Sequence, residues 1–268
     1  KNFTAIVVSE DHEANELKFE LKILELRLES ITNEKADLER DILLFNRRQY
    51  EILGDLIKEL LRLKAEYQQC IAEQAKQEQN QEQEEIDELE EEAEQAKDTY
   101  DEYSEEYEEV QQTEVKQLNE LEEKELKNIF RRACNLCHPD KVTEEKKGQA
   151  SQIFIQLKEA YDKNDIAAVK IIYAKLQQGD FSQTKSSKLK SIDILRSSIS
   201  EIKYKLEQAI QALHKLSTDP VTMTINQIGK NESQWVDYLH NKRVSFEGEI
   251  AAWQEKLEQL RVGEFNEK

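Results

Sequence analysis

Within fifteen positions this chain gathers Lys127, Arg131, Arg132, Cys134, Cys137, His138, Asp140 and Lys141. Three kinds of chemistry use these residue types at such spacings. Cys134-x-x-Cys137-His138 matches the attachment pattern of a c-type haem. Two cysteines and a histidine also offer three of the four ligands that tetrahedral zinc takes. A row of cations leading into a turn that presents His138, Asp140 and Lys141 can instead dock on a charged protein surface. Haem is disfavoured because His138 runs straight into Pro139-Asp140, at the end of a helix, where a ligand histidine should be free. Zinc lacks a fourth ligand, since His12, His214 and His240 are scattered along the chain. Neither a cofactor nor a metal is therefore expected, and Cys134 and Cys137 read as small apolar packing residues.

The elements that position this stretch follow from backbone chemistry. Up to His138 the chain holds one glycine, Gly54, and no proline. Pro139 has no N–H and pushes His138 out of the α region, so a helix must end near Cys137. Thr143 is suited to cap a second helix, with Glu144 and Glu145 placed to offset its dipole. Before the turn, Leu126, Phe130 and Ala133 or Cys134 share one helical face, and Lys127, Arg131 and Arg132 lie toward another. After it, Phe154, Leu157, Ala160 and Tyr161 form the matching face. These two helices should pack antiparallel with the loop at one end. Ile166, Val169, Ile172, Tyr173 and Leu176 predict a further helix that covers the pair.

The rest of the chain is dominated by long apolar stripes. Of its 268 residues 35% are charged, and it has only 6 Gly and 2 Pro, the composition of long helices. Leu17, Leu21, Leu24, Leu28, Ile31, Leu38, Ile42 and Phe45 step by fours and threes, with Lys35 in the one vacant seam position. A shifted stripe continues through Ile52 or Leu53, Leu56, Leu60, Leu63, Tyr67 and Ile71. A helix from Leu17 to Ala75 would be roughly 90 Å long at 1.5 Å per residue, and it needs a partner. Ile86, Leu89, Ala93, Ala96, Tyr100, Tyr103, Tyr107 and Val110 supply one, across an apolar-free tip at 77–85. A second copy of the chain, as a homodimer, is the other partner such a seam can take. The returning arm is expected to run through Leu118, Leu121 and Leu126 into the basic segment. Beyond a polar linker at 178–187, two more stripes, Leu189 to Leu216 and Trp235 to Leu260, carry opposite charge balances and suggest an antiparallel pair.

An all-α fold is therefore expected, with an antiparallel coiled-coil hairpin over 10–120, the helical hairpin over 121–178 and a second coiled-coil pair over 184–262. Residues 73–110 hold eighteen acidic and two basic residues, most of the chain's net charge of −19. Such a run is either a solvated coiled-coil face or a docking surface for a basic partner. Net acidity argues against non-specific nucleic-acid binding, which needs a basic face. No apolar run approaches the roughly 20 residues that span a bilayer, so a membrane partner is not expected. An odd count of three cysteines points away from a disulfide framework and toward a reduced, cytoplasmic setting. The chain opens on Lys1 and its one methionine is Met223, so its natural start is expected upstream.

His138-Pro139-Asp140-Lys141, the preceding Lys127-Asn128-Ile129-Phe130-Arg131-Arg132 and the following Phe154-Ile155-Gln156-Leu157-Lys158-Glu159-Ala160-Tyr161 together resemble the J domain of DnaJ-type co-chaperones. The resemblance spans about Leu121 to Tyr161. It implies a protein that is not itself an enzyme. Its loop and basic helix would dock on the nucleotide-binding domain of a DnaK-type, seventy-kilodalton heat-shock chaperone and trigger ATP hydrolysis there. His138, Pro139, Asp140, Lys141, Lys127, Arg131 and Arg132 are the partner-binding residues so implied. Asp140 is suited to a charge-assisted hydrogen bond with an arginine, and the cations to steering toward an acidic surface. The coiled-coil arms would choose an unidentified client or assembly, since the glycine-phenylalanine, zinc and β-rich client regions of full DnaJ proteins are absent. The family's first helix carries a Tyr-x-x-Leu-Gly pattern. It is missing from 112–127 but present at Tyr50-Glu51-Ile52-Leu53-Gly54, as a coincidence or as a displaced first helix. The alternative function is a structural coiled-coil tether with a vestigial hairpin.

Overall fold

With so little glycine and proline, the chain can turn only where capping and proline chemistry allow it. The computed structural model describes residues 2–77, 83–112, 115–138, 142, 144–178 and 192–266, and among these it is all-helical, with eight α-helices. They are α1 Asn2–Gln77, α2 Gln83–Gln112, α3 Glu120–Cys137, α4 Glu144–Asp162, α5 Ile166–Gln178, α6 Ile192–Ser217, α7 Pro220–Ile228 and α8 Glu232–Asn266. Most of the expected tip at 77–85 and linker at 178–187 lies outside the described residues. Among the described residues no helix is long and apolar enough to cross a membrane.

Two units share the chain, one of Lys1–Leu43 with Glu114–Met223, the other of Leu44–Thr113 with Thr224–Lys268. The expected spans 10–120 and 184–262 cross from one unit into the other, whereas 121–178 lies within the first. In the first unit, Leu21 of α1 packs on Leu195, Ile199 and Ile202 of α6. Glu13 pairs with Arg196 and Glu20 with Lys203, so the two helices run parallel. The same unit holds the α3–α5 core, with Leu126, Phe130, Cys134, Leu157, Tyr161, Val169 and Leu176 buried together.

In the second unit the later part of α1 is flanked by α2 and α8. The α2 stripe emerges as expected: every residue from Ile86 to Val110 in the predicted seam is half-buried, and most others are exposed. Pairs between Tyr50 and Glu106 and between Gln68 and Glu92 make α1 and α2 antiparallel. Tyr50 lies against Tyr103 and Tyr107, and the Tyr107 ring sits so close to Gly54 that an added Cβ would overlap it. Gly54 is thus explained by close approach of an aromatic ring. On α8, Trp235 meets Phe45 edge-on at 5.8 Å, and Leu60 and Leu63 pack with Ile250 and Leu257.

The helices at 192–217 and 232–266, expected to pair with one another, fall in different units, each against α1. A heptad stripe specifies which face is covered and leaves the partner open, and Glu13 and Glu20 of α1 pair with Arg196 and Lys203 of α6. The stretch before α3 also departs from expectation. Residues 115–119 are not helical, and Leu121, expected on the apolar stripe, is 78% exposed.

Candidate functional site

The basic segment begins at a capping box. The Asn119 side chain accepts from the Leu121 and Glu122 amides, both at 3.0 Å, and the Glu122 carboxylate accepts from the Asn119 amide at 3.0 Å. From this start α3 buries Leu126, Phe130, Ala133, Cys134 and Cys137 along one face. The helix ends at Cys137, and His138 turns extended (φ −61°, ψ 124°), as the residue before a proline must. Its amide still donates to Cys134 O at 2.8 Å. Phe130 stacks on Tyr161 with centroids 3.9 Å apart, and the half-buried His138 ring meets Phe154 edge-on at 5.6 Å. Contacts 130–161 and 138–154 run in opposite chain directions, so α3 and α4 form an antiparallel hairpin with His138 at its end. Val142, four residues on, is buried, and Val169 and Leu176 of α5 close the hairpin's apolar side.

The opposite side is closed by α1, through polar contacts. At the end of α4 the Asp165 amide donates to Ala160 O (2.8 Å) and the Asn164 amide to Tyr161 O (3.1 Å), a Schellman motif with Asn164 in the left-handed region at φ 55°. Glycine is the usual residue there, but a side chain is required for another reason. The Asn164 Oδ1 accepts from Nε (3.0 Å) and Nη2 (2.8 Å) of Arg40, which is 1% exposed, and its Nδ2 donates to Lys116 O at 2.9 Å. Arg40 also donates through Nη1 to Glu123 (3.2 Å) and lies 5.1 Å above the Tyr161 ring. One buried guanidinium thereby joins α1, α3 and the α4–α5 corner, with its donors distributed over carboxylate, amide and aromatic face.

Beside it, Asp37 of α1 accepts from the Tyr161 hydroxyl (2.5 Å) and from Nη2 of Arg131 (2.5 Å). Lys127 lies 3.1 Å from Glu123 and 4.0 Å from Asp41, and Lys158 pairs with Asp162 (2.6 Å) and Glu39 (3.5 Å). Of the cations expected to face a partner, then, Lys127 and Arg131 are engaged within the chain. Arg132 is exposed and makes no ion pair among the described residues. Pro139, Asp140, Lys141 and Thr143, the last expected as a helix cap, lie outside the described residues. Tyr50–Gly54 belongs to the other unit; the α1 segment against the hairpin is Ala36–Asp41. Sequence reasoning missed Asp37, Arg40, Asp41 and Asn164. The capping box was legible as Asn119-x-x-Glu122, but nothing about an arginine in a long charged helix announces its burial.

Burial governs the titrating groups. It pushes the Cys137 thiol up to about 12 and the Cys134 thiol up as well, so both stay protonated at neutral pH in the chain by itself. Burial, then the Asp37 charge, also raises the Tyr161 phenol, so it stays a donor to Asp37.

The carboxylates set an acid sensitivity. Burial alone would raise Glu123, but Lys127 and Arg40 outweigh it and hold the carboxyl below its ordinary range. Asp165 is held low by the Ala168 amide and then by Lys116, whereas burial lifts Asp162 against Lys158. A carboxylate held low adds stability above its unfolded pKa of about 4, and that stability is lost as pH falls through the folded value. Asp162 has the opposite sign and offsets part of this loss. Hydrogen exchange of the α3–α5 amides should therefore show weakening between about pH 5 and pH 3. Glu123→Gln should flatten that decline; an unchanged acid limb would remove Glu123 as a contributor.

No family model, curated protein or solved structure matches the chain.

Proposed function

We propose that the chain is a J-domain co-chaperone. The loop His138-Pro139-Asp140-Lys141 and the α3 cations dock on the nucleotide-binding domain of a DnaK-type heat-shock chaperone and accelerate its ATP hydrolysis, and the helical arms select the client or site. What supports this most is the α3–α4 hairpin, antiparallel and apolar inside, with the His138 ring held at its end by Phe154. The cytoplasm, where such a chaperone works and buried thiols stay reduced, is the setting that goes with it.

The test is single-turnover ATP hydrolysis by a DnaK-type chaperone with the full chain added. Wild type should accelerate hydrolysis, and Asp140→Asn should weaken the effect. A lost charge-assisted hydrogen bond is worth about 1.5–3 kcal/mol, or at least roughly tenfold in the concentration needed. No acceleration by wild type, or equal acceleration by the Asp140→Asn chain, would remove the proposal. A structural tether with a vestigial hairpin is the second possibility, favoured by one observation: Lys127 and Arg131 are bound to carboxylates of the same chain. The same assay separates the two.

A further inference from the structure

The hairpin's cations face a built-in rival. Arg131 is anchored on Asp37, and Lys127 is held between Glu123 on its own helix and Asp41 on α1. Arg131 is nevertheless 53% exposed and Lys127 30% exposed, so an incoming acidic surface can reach both from the solvent side. The α1 segment that carries the two aspartates is itself fixed, because Arg40 between them is buried on Asn164 and Glu123. Carboxylates held by a rigid helix beside solvent-accessible cations stand where a partner's carboxylates would.

Resting on the co-chaperone assignment, we propose that Asp37 and Asp41 compete intramolecularly with the acidic partner for Arg131 and Lys127, setting a deliberately weak resting affinity in which exposed Arg132 makes the first contact. Each accessible ion pair must be exchanged for one with the partner, and the gain on docking is the difference between two similar pairs. Removing Asp37 and Asp41 frees Arg131 and leaves Lys127 with Glu123 alone, so docking has less to displace. The alternative arrangement, in which Asp37 and Asp41 preorganise the cations for the partner, has the opposite sign and is one outcome of the test.

The experiment is a titration of ATPase stimulation by the full chain, wild type against Asp37→Asn/Asp41→Asn. Asparagine keeps an oxygen acceptor for the Tyr161 hydroxyl, which protects the fold. The double variant should reach half-maximal stimulation at about three- to tenfold lower concentration, with the advantage shrinking as salt rises from about 0.05 to 0.5 M. Asp41→Asn alone leaves the Tyr161–Asp37 bond untouched and should show a smaller shift in the same direction, even if the double variant folds poorly. Glu39→Gln, which neutralises a neighbouring α1 carboxylate that meets Lys158, should leave the curve where it is. Equal or weaker stimulation by the folded Asp41→Asn and double-variant chains, with wild type active, overturns the competition and leaves the co-chaperone assignment standing. A wild-type chain and variants that all fail to stimulate overturn both.

Discussion

Phe130→Ala should destabilise the α3–α5 core by about 3–5 kcal/mol. Phe130 is 1% exposed, and its ring lies 3.9 Å from Tyr161 in a nearly parallel stack, inside a cluster with Leu126, Leu157 and Val169. Truncation loses the transfer energy of the ring, leaves a cavity that rigid helices fill only in part, and forfeits a stacking term of about 0.5–1.5 kcal/mol. Protection of the core amides against hydrogen exchange should fall by about a hundredfold or more, at tenfold per 1.4 kcal/mol. Trp235 and Trp253 both belong to the other unit, so their emission gives a separate reading of that unit. A loss below about 1 kcal/mol would show that the ring does not carry the hairpin's packing.

Arg40→Ala should cost about 3–5 kcal/mol, as removal of one member of a buried charge network does. Glu123 and the Asn164 carbonyl lose a buried donor at the same stroke, and Tyr161 loses the cation over its ring. Asn164→Gly supplies the complementary measurement. Glycine tolerates the positive φ, so its cost isolates the loss of the side-chain acceptor, whereas Asn164→Ala would add left-handed strain of about 1–2 kcal/mol. The two truncations act on one bonded pair, and a double-mutant cycle of Arg40→Ala with Asn164→Gly should show a coupling of about 1–3 kcal/mol. Additive costs would mean that Arg40 draws its stability from Glu123 and the Tyr161 face alone.

These expectations separate what the chain's residues dictate locally from what assembly adds. The end of α3 follows from Pro139 alone, because a proline at that position removes a donor and bars its predecessor from the helix. The apolar faces of α3, α4 and α5 were readable from three-and-four spacing, as was the seam of α2, since burial of one face repeats with the turn of the helix. The start of α3 was legible in principle from Asn119 and Glu122, although the leucines around it suggest a continuous stripe.

Other features had no local signature. A stripe such as Leu17 to Leu28 says that one face will be covered but accepts any apolar helix of suitable charge; α6 takes that place in the structure. Lys127, Arg131 and Arg132 all carry positive charge, and Glu123 four residues back offers Lys127 a local partner; only the approach of α1 sets Arg131 on Asp37 and brings Asp41 beside Lys127, while Arg132 stays exposed.

By itself the sequence determined an all-helical chain, the hairpin's two apolar faces, the position of its turn and the run of charge before it. Periodicity and proline chemistry act within a few residues, and they suffice for that. Tertiary structure alone decided which helices pair and that Arg40 is a buried tie. It also decided that Asn164 is needed for its carboxamide as well as its conformation, and that Asp37 and Asp41 stand over the basic face. The ties of Arg40 to Asn164 and Glu123 and of Asp37 to Arg131 join groups 83 to 124 positions apart, and no local pattern encodes such a distance.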